Sequence, residues 1–439
     1  MNNHRLLTGL LAAALWSGGV CAAPQTGQIF SIEQLFEIAE ANSAQLRPSL
    51  SAEEEARRGI SVARNSLLPD INASLSLSYI GDGFTLKRDF SDYQKAPSPH
   101  FGNTAGINIT QPVYTGGAVT TGIEIARLRS TAARFATEMQ RDNIRFRIAG
   151  LYLDIYKYSN LRTVVTQNTV QALKVLDEMK IRHEQGVTLQ NDITRYELLV
   201  SNLELQAVKI DNTLTILRRN LAVTAGLPPD TEVVPDSTIL ARSLPAAGEG
   251  WWQQAAETDA PGLKLARSGV DISRKAENLA RSERLPKIGL QAGWSIEGPI
   301  LVEVPPINRN LSYWFVGVGV SYNLSSLYKS NKSLARSRAA TQVAIDELDA
   351  ARERVNLDVR ADYVRYLEAY EELKTQHKSV ELAERNYRTI TTRYSEGMAL
   401  ITDMLDAANS KLDAEQKLVN ARINVIYCYY KLLFTSGKI

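Results

Sequence analysis

Two long stretches of the chain carry apolar residues at helical spacing. Ile144, Ile148, Leu151, Ile155 and Tyr158 follow one another at intervals of 4, 3, 4 and 3. Val355, Val359, Tyr363, Tyr366, Tyr370 and Leu373 fall at intervals of 4, 4, 3, 4 and 3. Such seams predict long helices that pair as coiled coils. Residues 118–182 and 329–393 contain no proline, which would break a helix. At 1.5 Å per residue, about 65 residues reach on the order of 100 Å.

Elsewhere the period is two. In "INASLSLSYI", Ile71, Ala73, Leu75, Leu77 and Tyr79 share one face, and Asn72, Ser74, Ser76 and Ser78 share the other. "GINITQPVY", "IGLQAGWSIEG" and "YWFVGVGVSYN" alternate likewise, the first of them most weakly. These runs predict strands at about 71–82, 105–115, 287–298 and 312–323. Each is near the roughly 9 to 11 residues that a tilted strand needs to cross a bilayer. Aromatic residues read as near the strand ends (Tyr79, Trp294, Trp314 and Tyr322) suit interfacial girdles. A half-buried soluble sheet uses the same period. The small, polar second face favours a water-filled lumen with lipid on the apolar face. Four strands are too few to close around a lumen, and an open edge in lipid leaves backbone groups unpaired. The missing strands must come from other copies of the chain, and a closed trimer with twelve strands is the simplest answer.

The chain is also written twice. "RHEQGVTLQND" at 182–192 and "RYSEGMALITD" at 393–403 both start with Arg, place Gly four residues later and end on Asp, 211 positions apart (397 − 186). Tyr152 matches Tyr363 and Gly226 matches Gly437 at the same offset. Upstream, "ARNSLLPDI" and "ARSERLPKI" pair at an offset of 217 (280 − 63). Self-similarity of this kind predicts one structural unit used twice. The expected organisation is a first repeat over 23–226, a connector rich in Pro and Gly over 227–250, and a second repeat over 251–439. Each repeat holds short helices, two strands and a helical hairpin, with tips near Gly186 and Gly397.

Residues 1–22 read as a secretory signal: Arg5 is followed by a mostly apolar run over 6–20 and a Val20-Cys21-Ala22 cleavage site. Cys21 raises lipidation as a rival, disfavoured because Gly18-Gly19-Val20 lacks the residues that an acylation site prefers. With Cys21 removed, Cys428 is the one cysteine left and no intrachain disulfide can form. No later run approaches the about 18 apolar residues of a transmembrane helix, so any passage through a membrane must use strands. Lys and Arg (50) nearly balance Asp and Glu (48), without the basic excess of a nucleic-acid binder. The four histidines (His4, His100, His183 and His377) make no metal-binding spacing, and no phosphate loop, dinucleotide fingerprint or nucleophile elbow occurs. Neither enzyme activity nor a cofactor is expected.

Taken in order over nearly the whole chain, these features resemble the TolC family of outer-membrane efflux and export channels. The resemblance implies a mainly α fold with a membrane β-barrel: a homotrimer whose long hairpins form an α-barrel tunnel through the periplasm. It implies passage of cargo from an inner-membrane transporter and a periplasmic adaptor through the outer-membrane lipid. The hairpin tips would then be the periplasmic end, with Gln185, Gly186, Val187, Glu396, Gly397 and Met398 as adaptor-docking residues. Tyr394, Asp403 and Asp406 match the family's second tip, with Asp192 at the equivalent place in the first, as gate and ion-selectivity residues. One departure is Ala399, where some members carry a basic residue that helps hold the gate shut. The plain alternative for Asp403 and Asp406 is that acids early in a helix stabilise it. The rival for the whole chain is a periplasmic coiled-coil adaptor or scaffold, which would carry one hairpin rather than two and no strands of bilayer length.

Overall fold

A computed structural model describes residues 28–236, 239, 247–303 and 306–439. The expected signal peptide, Cys21 and part of the connector lie outside the described residues. The chain opens with β1 (Gln28–Phe30), α1 (Ile32–Asn42) and α2 (Arg47–Asn65). Ser31 starts α1 with a reciprocal cap: its hydroxyl accepts from Gln34 N at 3.2 Å, and Gln34 Oε1 accepts from Ser31 N at 2.9 Å. Next come β2 (Asp70–Tyr79), the short pair β3 (Gly83–Thr85) and β4 (Gln94–Ala96), and β5 (Phe101–Tyr114). The helices α3 (Ala118–Glu184) and α4 (Gln190–Ala225) form the first hairpin, and β6 (Val233–Pro235) follows. The order then recurs: α5 (Glu249–Asp259), α6 (Pro261–Ser282), β7 (Lys287–Gly298), β8 (Leu311–Ser321), α7 (Ser326–Ser395) and α8 (Ile401–Thr435).

The long helices reach their length because nothing in them interrupts the hydrogen-bond ladder: α3 has 67 residues and α7 has 70. The helices lie side by side in one layer. In the half nearer the hairpin tips, α3 packs between α4 and α8, and α7 packs on the far side of α8. In the other half α2 takes the place of α4 beside α3, and α6 lies between α3 and α7. Away from the tips α7 lies at one edge and α2 or α4 at the other; toward the tips α4 and α7 also meet, through Tyr196 and Tyr387.

Two apolar clusters hold this layer together. The larger joins both halves through Ile148, Tyr152, Leu221, Trp252, Val359, Tyr366 and Tyr429. Tyr152 sits at its heart and stitches the two-stranded parallel sheet β1–β6 onto α3. Its hydroxyl donates to Phe30 O at 3.0 Å and accepts from Asp236 N at 2.7 Å. Burial pushes that hydroxyl's pKa up to about 12, so it stays protonated and keeps its role as a donor. The smaller cluster lies near the tips and contains Leu176, Met179, Ile193, Tyr196, Val200 and Met404.

The long strands form one antiparallel sheet in the order β2–β5–β7–β8. Its register gathers Ile71, Ile109, Ala292 and Val316 into one row across the apolar face. The next row holds Ala73, Ile107, Trp294 and Trp314. Asn72, Asn108, Gly293 and Phe315 form a row on the opposite face. Trp294 and Trp314, expected in an interfacial girdle, are register partners four and three residues from the nearer ends of their strands. Tyr79 and Phe101 form the aromatic pair at one strand end, where Tyr79 also stacks on His100 at 5.2 Å. Among the described residues, no other element covers the apolar face of the sheet: Leu75, Leu77, Trp314, Val316 and Val318 are all exposed.

Among the described residues, no helix is long and apolar enough to cross a membrane.

Candidate functional site

The two hairpins end in turns of one geometry. Gly186 takes φ +77° and Gly397 takes φ +75°, a left-handed conformation that costs little only without a Cβ. At the first tip, Gly186 N donates to His183 O and Val187 N to Arg182 O, both at 2.9 Å. At the second, Gly397 N donates to Tyr394 O at 3.0 Å and Met398 N to Arg393 O at 2.8 Å. Both are Schellman ends, which satisfy the last carbonyls of α3 and α7. Gln185 and Glu396 are the residues that cap the two helices, and both are exposed.

After each turn the chain extends for two or three residues and enters the next helix through a leucine. Leu189 precedes α4 and Leu400 precedes α8, each 70 % exposed. With Val187 and Met398 they make each tip end in a pair of solvent-facing apolar side chains. A leucine satisfies no backbone donor, so its placement at a helix start is unfavourable by capping preference.

Asp192 and Asp403 both occupy the third position of their helices. Asp403 Oδ2 accepts from Leu400 N at 3.1 Å and so completes the helix start. The plain reading of this residue as a helix-start acid is therefore visible, and its side chain remains exposed. Asp406, one turn on, is exposed as well. Asp192 acts differently. Tyr394, at the end of α7, has its pKa raised first by burial and then by the negative charge of Asp192, while Arg182 opposes the shift. Asp192, Tyr394 and Arg182 thus share one neighbourhood between the hairpins. Arg182 also donates from Nη1 to Ser395 O at 2.7 Å, which ties the first tip to the second. Ala399 supplies no charge there.

The sequence model of outer membrane efflux proteins matches residues 35–227 and 252–427. The chain belongs to that family. Outer membrane protein TolC of Vibrio cholerae is 22% identical to it over 433 residues, 98% of this chain and 93% of that protein. The proteases secretion protein PrtF of Dickeya chrysanthemi is 21% identical over 434 residues, 94% of this chain and 89% of that one. The crystal structure of VceC from Vibrio cholerae has the same fold, with a TM-score of 0.75 at 17% identity, covering 92% of this chain and 96% of that one. The chain is therefore an outer-membrane protein of the Gram-negative envelope, in a family of channels rather than enzymes.

For this member of the efflux family, the residues singled out from sequence stand in two groups. Gln185, Gly186, Val187, Glu396, Gly397 and Met398 lie on the exposed turns, and Asp192, Tyr394, Asp403 and Asp406 lie in the first or second turn of the adjoining helices, counted from the tips. Sequence reasoning passed over Leu189, Leu400 and Arg182. The two leucines repeat at the same 211-residue offset as the glycines (400 − 189), a signal that was available. Arg182 matches Arg393 in the repeat, but only the convergence of the two tips reveals that its side chain reaches Ser395.

Proposed function

We propose that three copies of the chain close into an outer-membrane channel-tunnel that passively conducts cargo from an inner-membrane transporter and a periplasmic adaptor. The observation that carries this reading is the matched set of open edges. Among the described residues, the sheet leaves the outer sides of β2 and β8 unpaired. The helical layer ends in α4, with exposed Leu198, Leu205, Ile216 and Val223, and in α7, with exposed Val343, Leu357 and Val364. An unpaired strand edge cannot remain open in lipid, and apolar stripes on long helices need partners. Pairing β8 of one copy with β2 of the next, and α7 with α4, uses two different surfaces and therefore propagates until it closes as a ring. Three sheets of four strands make a barrel of twelve, with the face of Leu75 and Trp314 toward lipid. In this reading 23–226 and 251–439 are the two repeats, joined by the connector at 227–250.

The tips then form the periplasmic end. Val187, Leu189, Met398 and Leu400 offer the adaptor an apolar contact on a turn that the glycines hold open. Asp192, Asp403 and Asp406 would be repeated around the axis, where their potentials add and favour cations. The relatives' names speak of efflux and of protease secretion, so the cargo is either small molecules or protein.

Light scattering of the detergent-solubilised protein, corrected for detergent, should give the mass of three chains; a monomer would overturn the architecture. In planar bilayers the wild type should be cation-selective. Asp403→Ala/Asp406→Ala should be less so. If selectivity is unchanged in an intact trimer, these aspartates are helix-start residues only.

A further inference from the structure

Leu412 of α8 packs against both apolar clusters, but beside it, where α3 faces α8, a polar level interrupts them. The larger cluster reaches Val165 on α3, and the smaller begins at Ala172. Between them Asn168 and Gln171 of α3 face Lys411 and Glu415 of α8. Asn168 Nδ2 donates to Glu415 Oε2 at 2.6 Å. Lys411 Nζ donates to Gln171 Oε1 at 3.1 Å and to Asn168 Oδ1 at 3.4 Å, and it lies 3.4 Å from Glu415 Oε1. The two charged side chains are only 14% and 19% exposed. Tyr387 of α7 closes the level from the other side, its ring centre 5.3 Å from Lys411 Nζ. Just tipward, Tyr196 of α4 meets the Tyr387 hydroxyl, so all four helices converge here. A small cavity of about 20 Å³, lined in part by Asn168, Tyr196 and Tyr387, adjoins the level.

Apolar side chains tolerate sliding past one another, because their contacts carry no direction. A nearly dehydrated ion pair with amide partners does not: a shift of one turn breaks every bond and leaves charge buried. Polar groups in an otherwise apolar helix seam fix register for this reason. The level at Lys411 joins the first hairpin to the second and stands between the larger core and the tips. We propose that Lys411, Glu415, Asn168 and Gln171 are positioning residues that set the register of the second hairpin against the first, and that the tips swing about this level when the channel opens. The opening motion rests on the channel reading; the register itself does not depend on it.

The test uses the full chain with reporter cysteines at the tips, Arg182→Cys and Ser395→Cys, joined by a short bismaleimide in detergent. Cys428 is buried, and burial pushes its thiol pKa up to about 11, so it does not compete. Into this background go Lys411→Arg, and an apolar level of Asn168→Leu, Lys411→Met and Glu415→Met. The apolar level should melt at or above the wild-type temperature, while intrachain crosslinking falls severalfold and single-channel conductance rises. Lys411→Arg should keep both near wild type. If the apolar level crosslinks and conducts like the wild type, the polar level is packing alone and the proposal fails. Should the apolar level not assemble, Gln171→Leu removes one exposed acceptor; it should lower crosslinking partly, and no change would overturn the proposal. A wild type that does not conduct at all defeats the channel reading, while the crosslinking comparison still judges the register.

Discussion

In the helical layer, Ile148, Tyr152 and Trp252 are at most 1% exposed, whereas in the sheet Leu75 and Trp314 are each 74% exposed. Both regions use apolar residues at a regular period. The layer buries them against the same chain, and the sheet buries none of its long apolar row. The difference locates what stabilises each part. The helices carry a core of their own, made where two halves of one chain meet. The sheet, one layer thick with two free edges, has no such core; in the proposed trimer it would depend on lipid on one face and on neighbouring copies at its sides. Damage should accordingly appear in different measurements for the two regions.

The largest effect is expected at Trp252, which contacts Trp251 and Tyr429 edge-on, with ring centres 4.8 and 6.2 Å away. Trp252→Ala should cost about 3 to 5 kcal/mol of stability, as removal of a buried aromatic side chain does. Chemical unfolding followed by helical circular dichroism should show the loss in detergent and in lipid alike. A loss seen in only one of them would mean that this core leans on the membrane as the sheet does.

Next come charges on the sheet. Val316→Arg or Val318→Arg, on the apolar face, should cost about 2 to 4 kcal/mol of assembly at mid-bilayer. Ser76→Arg, on the opposite face, should be milder. Recovery of assembled protein from outer membranes measures this, and equal recovery of all three variants would reverse the assignment of faces.

The smallest effect tests a cost inside the helical layer. Burial raises the Asp142 carboxyl from 3.8 to about 6, against the pull of Arg145 and with a further push from Glu138. A raised acid prefers its proton in the folded state. Its penalty is absent below its ordinary value and grows as pH rises through the folded one. The wild type should therefore lose stability relative to Asp142→Asn between pH 3.8 and about 6. The two melting curves should converge at lower pH. A constant difference across that window would place the origin of the effect elsewhere.

Much of this was readable before any coordinates. The seam at Ile144, Ile148, Leu151 and Ile155 specifies a helix because a period near 3.6 can be buried in no other way. The alternation of 71–80 specifies a strand with two unlike faces. The glycines of the tips are legible too, since Gly186 and Gly397 sit where the backbone must turn left-handed. Asp403 was legible only as a pair of readings. Its bond to Leu400 N shows one of them, and its place on a helix start is what made both available.

What the sequence determined by itself is local: helix, strand and turn follow from the period of apolar residues and from backbone conformations that a few residue types permit. What only the tertiary structure decided is which of these meet. The pairing of β5 with β7 joins the strands of the two halves into one sheet, and nothing in either strand names the other. Arg182 reaches Ser395 and Lys411 reaches Asn168 across 213 and 243 positions. Such contacts depend on how far each helix has travelled along its axis when its neighbour arrives. That distance is the sum of every rise and turn between them, and packing sets it rather than any single residue.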